Sequence, residues 1–375
     1  MSEVAVIGAG PAGVSMALSL RDRGIRPLLV DRADAVGSAW RGRYDALKLN
    51  TGRPFSHLPN RPYPKGTPMY PSRDDVVAHL DRHAHEDGIE LRLGTTVDRI
   101  DRRPSGWRLT TSADPIDARQ VVVATGLQSV PVMLDLPGMG AFTGELLHSS
   151  AYRNPAPYQG KRVLIVGSGS SGMEIAHDLA TGGAAKAWLA VRTPPNIMLR
   201  RGPGGLPGDV IAVPLYHAPI GLGDAISRKA RRANLGDLSG FGLPIPAEGP
   251  FARLARERKV PSLVDMEVIE AVKDGSIEVV AGVQGFDGGS VRLVDGAALE
   301  PDVVICATGY RTGLEPMVGH LGVLDETGVP VVTGEKAAAE GLRFLGFSSR
   351  PIVMGYVARQ SKRVAKRIAR ELSAA

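Results

Sequence analysis

A carboxylate and a guanidinium stand at matching places in two similar stretches of this chain. Asp31 closes the apolar run PLLVD, and Arg192, followed by Thr193, closes AWLAVR. Each lies about 20 residues beyond a glycine-rich phrase of the form G-x-G-x-x-G. A carboxylate in that position accepts hydrogen bonds from ribose hydroxyls and repels a 2′-phosphate. A guanidinium is always charged, bonds bidentately and suits that phosphate. The first stretch is therefore expected to take a dinucleotide without a 2′-phosphate, and the second to take NADPH.

The glycines are placed for this work. GAGPAG supplies Gly8, Gly10 and Gly13; GSGSSG supplies Gly167, Gly169 and Gly172, with Ser170 and Ser171 between the last two. The first glycine of each set allows a tight strand-to-helix turn and the second lets the backbone approach a pyrophosphate. The third lets the helix pack on the strand. The helix N-terminus then offers free N–H groups and a partial positive charge to the phosphates.

These phrases belong to an internal repeat. VAVIGAGPAG (4–13) and VLIVGSGSSG (163–172) each read as a strand, the glycine turn and a helix, VSMALSLRDRG and MEIAHDLATGG. Each copy later reaches a second shared phrase, VVVATG with Thr125 and Gly126, and VVICATGY with Ala307, Thr308, Gly309 and Tyr310. The fold class implied is α/β: two Rossmann-like dinucleotide-binding domains, three-layer with parallel sheets. The second copy carries a Pro- and Gly-rich, partly helical insertion around 194–264 that caps the site. FTGELLHSSAYRN (142–154) joins the two copies and has no apolar run of its own, which leaves its His148 to be explained.

Composition bounds the rest. The chain has 375 residues, room for two domains. Its single cysteine, Cys306, reads as a small buried hydrophobe and excludes an internal disulfide framework or a redox pair. No basic-then-apolar leader opens the chain and no apolar run approaches the roughly 20 residues that span a bilayer, so the expected location is cytoplasmic with no integral membrane segment. The net charge of +6 is concentrated in the tail, where Arg359, Lys362, Arg363, Lys366, Arg367 and Arg370 recur at helical spacing opposite Val364, Ala365, Ile368 and Leu372. This is a surface helix docked by its apolar side; no aromatic residues accompany the charge, so nucleic acid is not expected as a partner. HLDRHAH carries His79, His83 and His85 at a spacing that mimics a metal site, but it sits in an Asp- and Arg-rich amphipathic stretch and is read as a solvated face. No metal is expected.

Two dinucleotide folds in one chain point to FAD plus NAD(P)H, with electrons passing from nicotinamide to flavin. A disulfide reductase would need the missing cysteine pair. A reductase-like carrier and a flavin monooxygenase remain. Across nearly its whole length, GAGPAG, VGSAWRGRYDALKLNT, FTGELLHSSAY, GSGSSG and ATGY occur in the order seen in the flavin-containing monooxygenases, which the chain resembles. It is most similar to the short forms, including the plant YUCCA-type enzymes that convert indole-3-pyruvate to indole-3-acetate. Phe142, Gly144, His148 and Tyr152 match the family pattern F-x-G-x-x-x-H-x-x-x-(F/Y); related ketone-oxygenating enzymes carry Trp at the last place.

The resemblance implies that this segment coordinates the two domains around FAD and NADP+, with His148 supportive and not a catalytic base. It implies that Gly8, Gly10, Gly13 and Asp31 bind the ADP half of FAD and that Trp40 and Arg41 lie along the cofactor, although Val36-Gly37 replaces the usual double glycine. Thr125, Gly126 and Phe347 join the cofactor-lining set, the last in LRFLGFSSRP, which in the family returns to the flavin domain. The resemblance thus implies a discontinuous FAD domain, 1–155 and 311–375, with the NADPH domain, 156–310, as the second inserted into the first. Asn50, in LKLNTG, falls near the reactive edge of the isoalloxazine and is the candidate catalytic group; read alone it is also an Asx-turn residue. The plant YUCCA-type enzymes tend to have histidine in this region, which weakens any transfer of their substrate. The chemistry implied is reduction of FAD by NADPH, addition of O2 to give a C4a-hydroperoxyflavin, and oxygen transfer to a small molecule: a nitrogen or sulfur centre, or an α-keto acid. An NADPH oxidase or reductase, a Baeyer–Villiger oxygenase and a cofactor-binding regulator without turnover remain as alternatives, and a homodimer is compatible with all of them. Arg200, Arg201, Arg228 and Arg231, taken as exposed, raise the separate question of an anionic substrate.

Overall fold

The computed structural model describes residues 2–374. Two parallel sheets with one strand order form its frame. In the first, Glu90–Arg92, Pro27–Val30, Ser2–Ile7 and Ile116–Val123 lie side by side in that order, and Leu342–Phe344 pairs with the end of Ile116–Val123. In the second, the order is Ile277–Ala281, Lys186–Val191, Arg162–Val166, Val303–Cys306 and Glu145–His148. Val6 faces Leu29 and Val122 as Ile165 faces Leu189 and Ile305.

The central strands are apolar on both sides because both sides are covered. Helices Pro11–Arg21 and Arg73–Glu86 pack one face of the first sheet through Val14, Leu18, Val76 and Leu80. Past Ile116–Val123 the same sheet continues through the antiparallel strands Gly106–Thr111 and Val97–Arg103, which bring Ile100, Trp107 and Leu109 onto its other face. The second sheet repeats this with helices Ser170–Thr181 and Met266–Lys273 on one side. The antiparallel strands Val283–Asp287, Ser290–Leu293 and Ala298–Leu299 cover the other.

The fifth strands have different origins. The first sheet takes Leu342–Phe344 from the far end of the chain, in the stretch LRFLGF. The second takes Glu145–His148, which precedes its own glycine turn, so this sheet begins before position 156. The segment that lacks an apolar run is thus an edge strand: Leu146 and Leu147 are half-buried and only His148 is fully covered. Beyond the ATG phrases the two units are laced by an antiparallel ribbon, Val130–Pro131 against Tyr310–Arg311.

The insertion is closed at its neck by a parallel pair, Ile197–Leu199 with Ser262–Val264, and carries helices Gly208–His217, Ile220–Leu235 and Pro250–Glu257. The C-terminal helix Val353–Ala374 docks Val357, Val364, Ala365 and Ile368 onto the first unit. A buried Ser19–Ser361 hydroxyl pair of 2.8 Å fixes it there, while Arg359, Lys362, Arg363, Lys366, Arg367 and Arg370 stay exposed. No helix among the described residues is long and apolar enough to cross a membrane.

Candidate active site

The two glycine turns have the same geometry. A Cβ on Gly13 would lie 1.7 Å from the Gly8 carbonyl oxygen, and one on Gly172 would lie 1.8 Å from that of Gly167. No side chain fits there. At the middle position the reverse holds: a Cβ on Gly10 or Gly169 would meet nothing within 4 Å. That open space lies above the helix N-termini, and neither N-cap residue has a side chain to satisfy the first N–H groups. The turns therefore leave backbone donors directed at a clear cradle, the fit a pyrophosphate requires.

The residues that close the next strand of each copy have different surroundings. Asp31 accepts from Ala9 N–H at 2.5 Å and from Ala33 N–H at 2.8 Å, which pins its carboxylate beside the first turn. Arg192 and Thr193 are exposed at the end of Lys186–Val191, and Arg192 makes no ion pair among the described residues. The ATG phrases press against the turns: Ala124 and Thr125 against Gly8, Ala307 against Gly167. Thr125 Oγ1 is buried with no partner, an orphan that a bound cofactor would satisfy. Gly126 and Gly309 adopt positive φ of 76° and 87° at the strand ends. Thr308 Oγ1 donates to the Val132 carbonyl across the ribbon.

Val36-Gly37 makes a definite turn despite lacking the double glycine. Gly37 N–H donates to Ala9 O at 2.9 Å, and Val36 is buried. Trp40 packs on the first core. Arg41 is held by the Val36 carbonyl and Asp81, both at 3.0 Å. Phe347 is buried edge-on to Phe344 at the return of the chain.

The residues of the F-x-G-x-x-x-H-x-x-x-Y pattern take separate posts. Phe142 lies edge-on to Phe286, and a Cβ on Gly144 would strike both the Phe142 ring and the Asp302 carbonyl. Tyr152 is fully buried, stacks on Tyr158 and donates to Asp178 at 2.7 Å. His148 Nδ1 accepts from Ser150 N–H at 3.0 Å, which leaves Nε2–H to donate to the Gly309 carbonyl at 3.0 Å. Its ring edge meets Tyr310, and burial holds its pKa below the usual value. A neutral imidazole locked between an edge strand and the ATG turn is a clamp and has no free nitrogen for proton transfer. Arg43 completes the joint from the first unit, lying over the Tyr310 ring, bonding its hydroxyl and reaching Gln128 at 2.8 Å.

Asn50 is half-buried between the units. Its Oδ1 accepts from Arg200 Nη2 at 3.0 Å. Arg200 also bonds Glu174 and Asp265, and Tyr44 O–H donates to Glu174. Two residues on, Gly52 N–H donates to Asp209 Oδ2 at 2.6 Å. Burial raises the pKa of Glu174, opposed by Arg200, and that of Asp209, opposed by the Gly52 N–H; Tyr44 is raised well above its usual value by burial and then by Glu174.

Two expectations are corrected here. Arg200 and Arg231 are not exposed: Arg200 is 3% accessible and neutralised by two carboxylates, and Arg231 is buried with its guanidinium on the carbonyls of Pro195, Leu243 and Pro244. Arg201 and Arg228 are exposed. The histidine stretch is also no uniformly solvated face. His79 is 3% accessible and stacked on Tyr63, His83 meets it edge-on, and only His85 is exposed. No cluster among the described residues could hold a metal ion. Arg43, Tyr44, Glu174, Asp209 and Asp265 were not singled out from sequence; the one visible signal was Glu174 set between the apolar Met173 and Ile175.

Two glycine turns of the same geometry, opposite charges one strand beyond them and a shared interface are the fit that a flavoprotein oxidoreductase with two dinucleotides requires. Residues 5–196 match the pyridine nucleotide-disulphide oxidoreductase family. The chain is 32% identical to the probable indole-3-pyruvate monooxygenase YUCCA3 of Arabidopsis thaliana over 92% of its own length and 82% of that protein. It is 34% identical to indole-3-pyruvate monooxygenase YUCCA1 of Oryza sativa subsp. japonica over 93% and 87%. Its fold superposes on the flavin-containing monooxygenase from Stenotrophomonas maltophilia with a TM-score of 0.73 at 22% identity, covering 99% of this chain and 100% of the other. The chain belongs to the flavin monooxygenases of YUCCA type, enzymes that use FAD and NADPH on the fold of the pyridine nucleotide-disulphide oxidoreductases. Cys306, buried and alone, supplies no dithiol.

Proposed function

We propose that the first unit holds FAD, the second holds NADPH, and the chain oxygenates a small organic substrate at the interface beside Asn50, acting in the cytoplasm. The observation that carries the assignment is the inversion from Asp31 to Arg192 beside two glycine turns that leave the same space at the same positions. Bound FAD, once reduced by NADPH, supplies the activation of dioxygen. The chain's own groups bind, orient and exclude water. The glycine turns and helix N-termini take the two pyrophosphates. Thr125 Oγ1 supplies a hydrogen bond beside the first turn. Asn50, its carbonyl oxygen already occupied, presents its amide N–H groups to the reacting centre, where a preorganised donor in a dry site is worth far more than in water.

Nitrogen and sulfur centres and α-keto acids are the candidate substrates. The relatives named for indole-3-pyruvate make an aryl α-keto acid the first compound to try, and exposed Arg201 and Arg228 suit an anion. The test is rapid mixing: the holoenzyme is reduced anaerobically with NADPH, mixed with oxygenated buffer and followed by flavin absorbance. A monooxygenase shows a delayed return of the oxidised spectrum, shortened by a true substrate, with oxygenated product formed. Prompt return with one equivalent of peroxide, unaffected by any of these compounds, would make the protein an oxidase.

A further inference from the structure

Arg200 is a buried cation with two carboxylates beside it, Glu174 and Asp265, and the pairing alone would neutralise it. A buried ion pair is no better for stability than well-packed apolar residues of the same volume. Yet Arg200 also gives a hydrogen bond at 3.0 Å to Asn50, a residue of the other unit. We propose that Arg200 is a positioning residue: it holds the Asn50 side chain in one orientation, and Asp209 holds the backbone of the same loop.

The chemistry of an amide explains why this is needed. A free asparagine side chain can turn its carbonyl or its NH2 toward a partner at little cost. With Oδ1 bound to a guanidinium the choice is made, because a guanidinium has donors only. Asn50 Nδ2 is left with no partner among the described residues, and its two N–H groups are the ones that face away from Arg200. Arg200 can do this because it is itself fixed. Glu174 holds its Nη2, Asp265 its Nη1, and Tyr70 O–H donates to its carbonyl oxygen at 2.5 Å. Glu174 lies two residues after Gly172, in the helix that starts at the second glycine turn, so the brace is anchored in the NADPH-side unit. Asp209, 4% accessible, takes the Gly52 N–H at 2.6 Å and so stops the loop from rotating as a whole. Both grips come from the insertion and its neck.

The inference rests on the reading that Asn50 faces the reacting flavin, and two measurements keep its failure apart from a failure of that reading. In FAD-loaded protein without substrate, hydrogen exchange of the 48–56 peptide should rise in Arg200→Met and, more weakly, in Arg200→Lys, which keeps the charge but loses the fork. In rapid mixing, Arg200→Met should return to oxidised flavin about tenfold sooner than the parent, the effect of losing one hydrogen bond near a charged group. Its anaerobic reduction by NADPH should change less than about twofold. Because Arg200 acts through Asn50, Asn50→Ala and the double variant should reoxidise at rates within about twofold of each other, as coupled sites do not add. If Arg200→Met fails to retain FAD, Arg200→Lys carries the same comparison. Unchanged exchange at 48–56, or effects of Arg200→Met and Asn50→Ala that simply add, would overturn the proposal. Prompt reoxidation of the parent itself would instead overturn the monooxygenase reading, with the exchange result still deciding whether Arg200 positions the loop.

Discussion

The two units are built on one plan and diverge where the chain crosses from the second to the third strand of each sheet. In the first unit the crossover, residues 31–89, holds the Trp40 turn, the Asn50 loop and the helix Arg73–Glu86. In the second it is residues 192–276, and the same place holds the insertion and the helix Met266–Lys273. Equivalent crossovers leave the same edge of equivalent sheets, so when the units face each other these two meet. Asn50 and Gly52 of one meet Arg200 and Asp209 of the other. The two copies share the strand order and the glycine turn, and the contacts between them come from the one connection in which they differ.

If the turns are as alike as their geometry indicates, the same substitution should disable either site separately. Gly13→Ala places a Cβ 1.7 Å from a backbone oxygen, and Gly172→Ala one at 1.8 Å. Backbone has to shift in both, at a cost of about 3 kcal/mol or more. Gly13→Ala should purify with less than about a tenth of the normal flavin. Gly172→Ala should keep its flavin and lose reduction by NADPH. Loss of flavin from Gly172→Ala, with Gly13→Ala still yellow, would exchange the two assignments.

The next difference concerns acid stability, because only the first crossover buries a histidine pair. Burial pushes His79 from 6.5 down to about 4, with His83, His57 and Arg82 adding repulsion. His83 is also lowered by burial, against the pull of Asp87. A group depressed in the folded state stabilises fully above its unfolded value and loses that contribution as pH falls toward the folded one. Stability should therefore drop between about pH 6.5 and 4, by up to about 3 kcal/mol from His79 alone. Thermal unfolding of His79→Leu across that window should be flatter than the parent's by most of this amount. An equal slope in the variant would place the titrating group elsewhere.

Arg192 and Asp31 set the finer contrast. Arg192→Ala should weaken NADPH about ten- to a hundredfold, the cost of roughly 1.5–3 kcal/mol for a lost charge-assisted bond, and leave NADH nearly unchanged. Equal weakening of both coenzymes would mean that Arg192 does not read the 2′-phosphate.

What was legible in the sequence follows from how local the signal is. The glycine turns, Asp31 and Arg192 are local: a strand, a turn and a helix in fixed order, with the reading residue one strand further on. The C-terminal helix was equally plain, since its apolar stripe is its own. Glu145–His148 was not legible as a strand, because an edge strand needs little apolar character and its pairing with Val303–Cys306 spans more than a hundred and fifty residues. Arg200 was read as an exposed charge for the same reason. What buries it is Glu174 and Asp265, far away in the chain, and nothing beside Arg200 announces them. His79 misled in the opposite way: the polar stretch around it is real, but Tyr63 closes over the one histidine that points inward.

The smallest effect expected is at Cys306, and it separates this chain from the disulfide-reducing enzymes that share its fold. The thiol is fully buried in the strand Val303–Cys306, against Leu164 and Val166, and burial raises its pKa. A thiolate is the reactive form, so a buried thiol with a raised pKa is unreactive and has no partner to cycle with. Cys306→Ala removes one small apolar group from a packed sheet face and should cost about 1 kcal/mol of stability. Flavin reduction by NADPH and the later reaction with oxygen should be unaltered, and thiol reagents should label the parent only after unfolding. A variant that folds and binds flavin but is no longer reoxidised normally would show that the Cys306 sulfur takes part in the electron path after all.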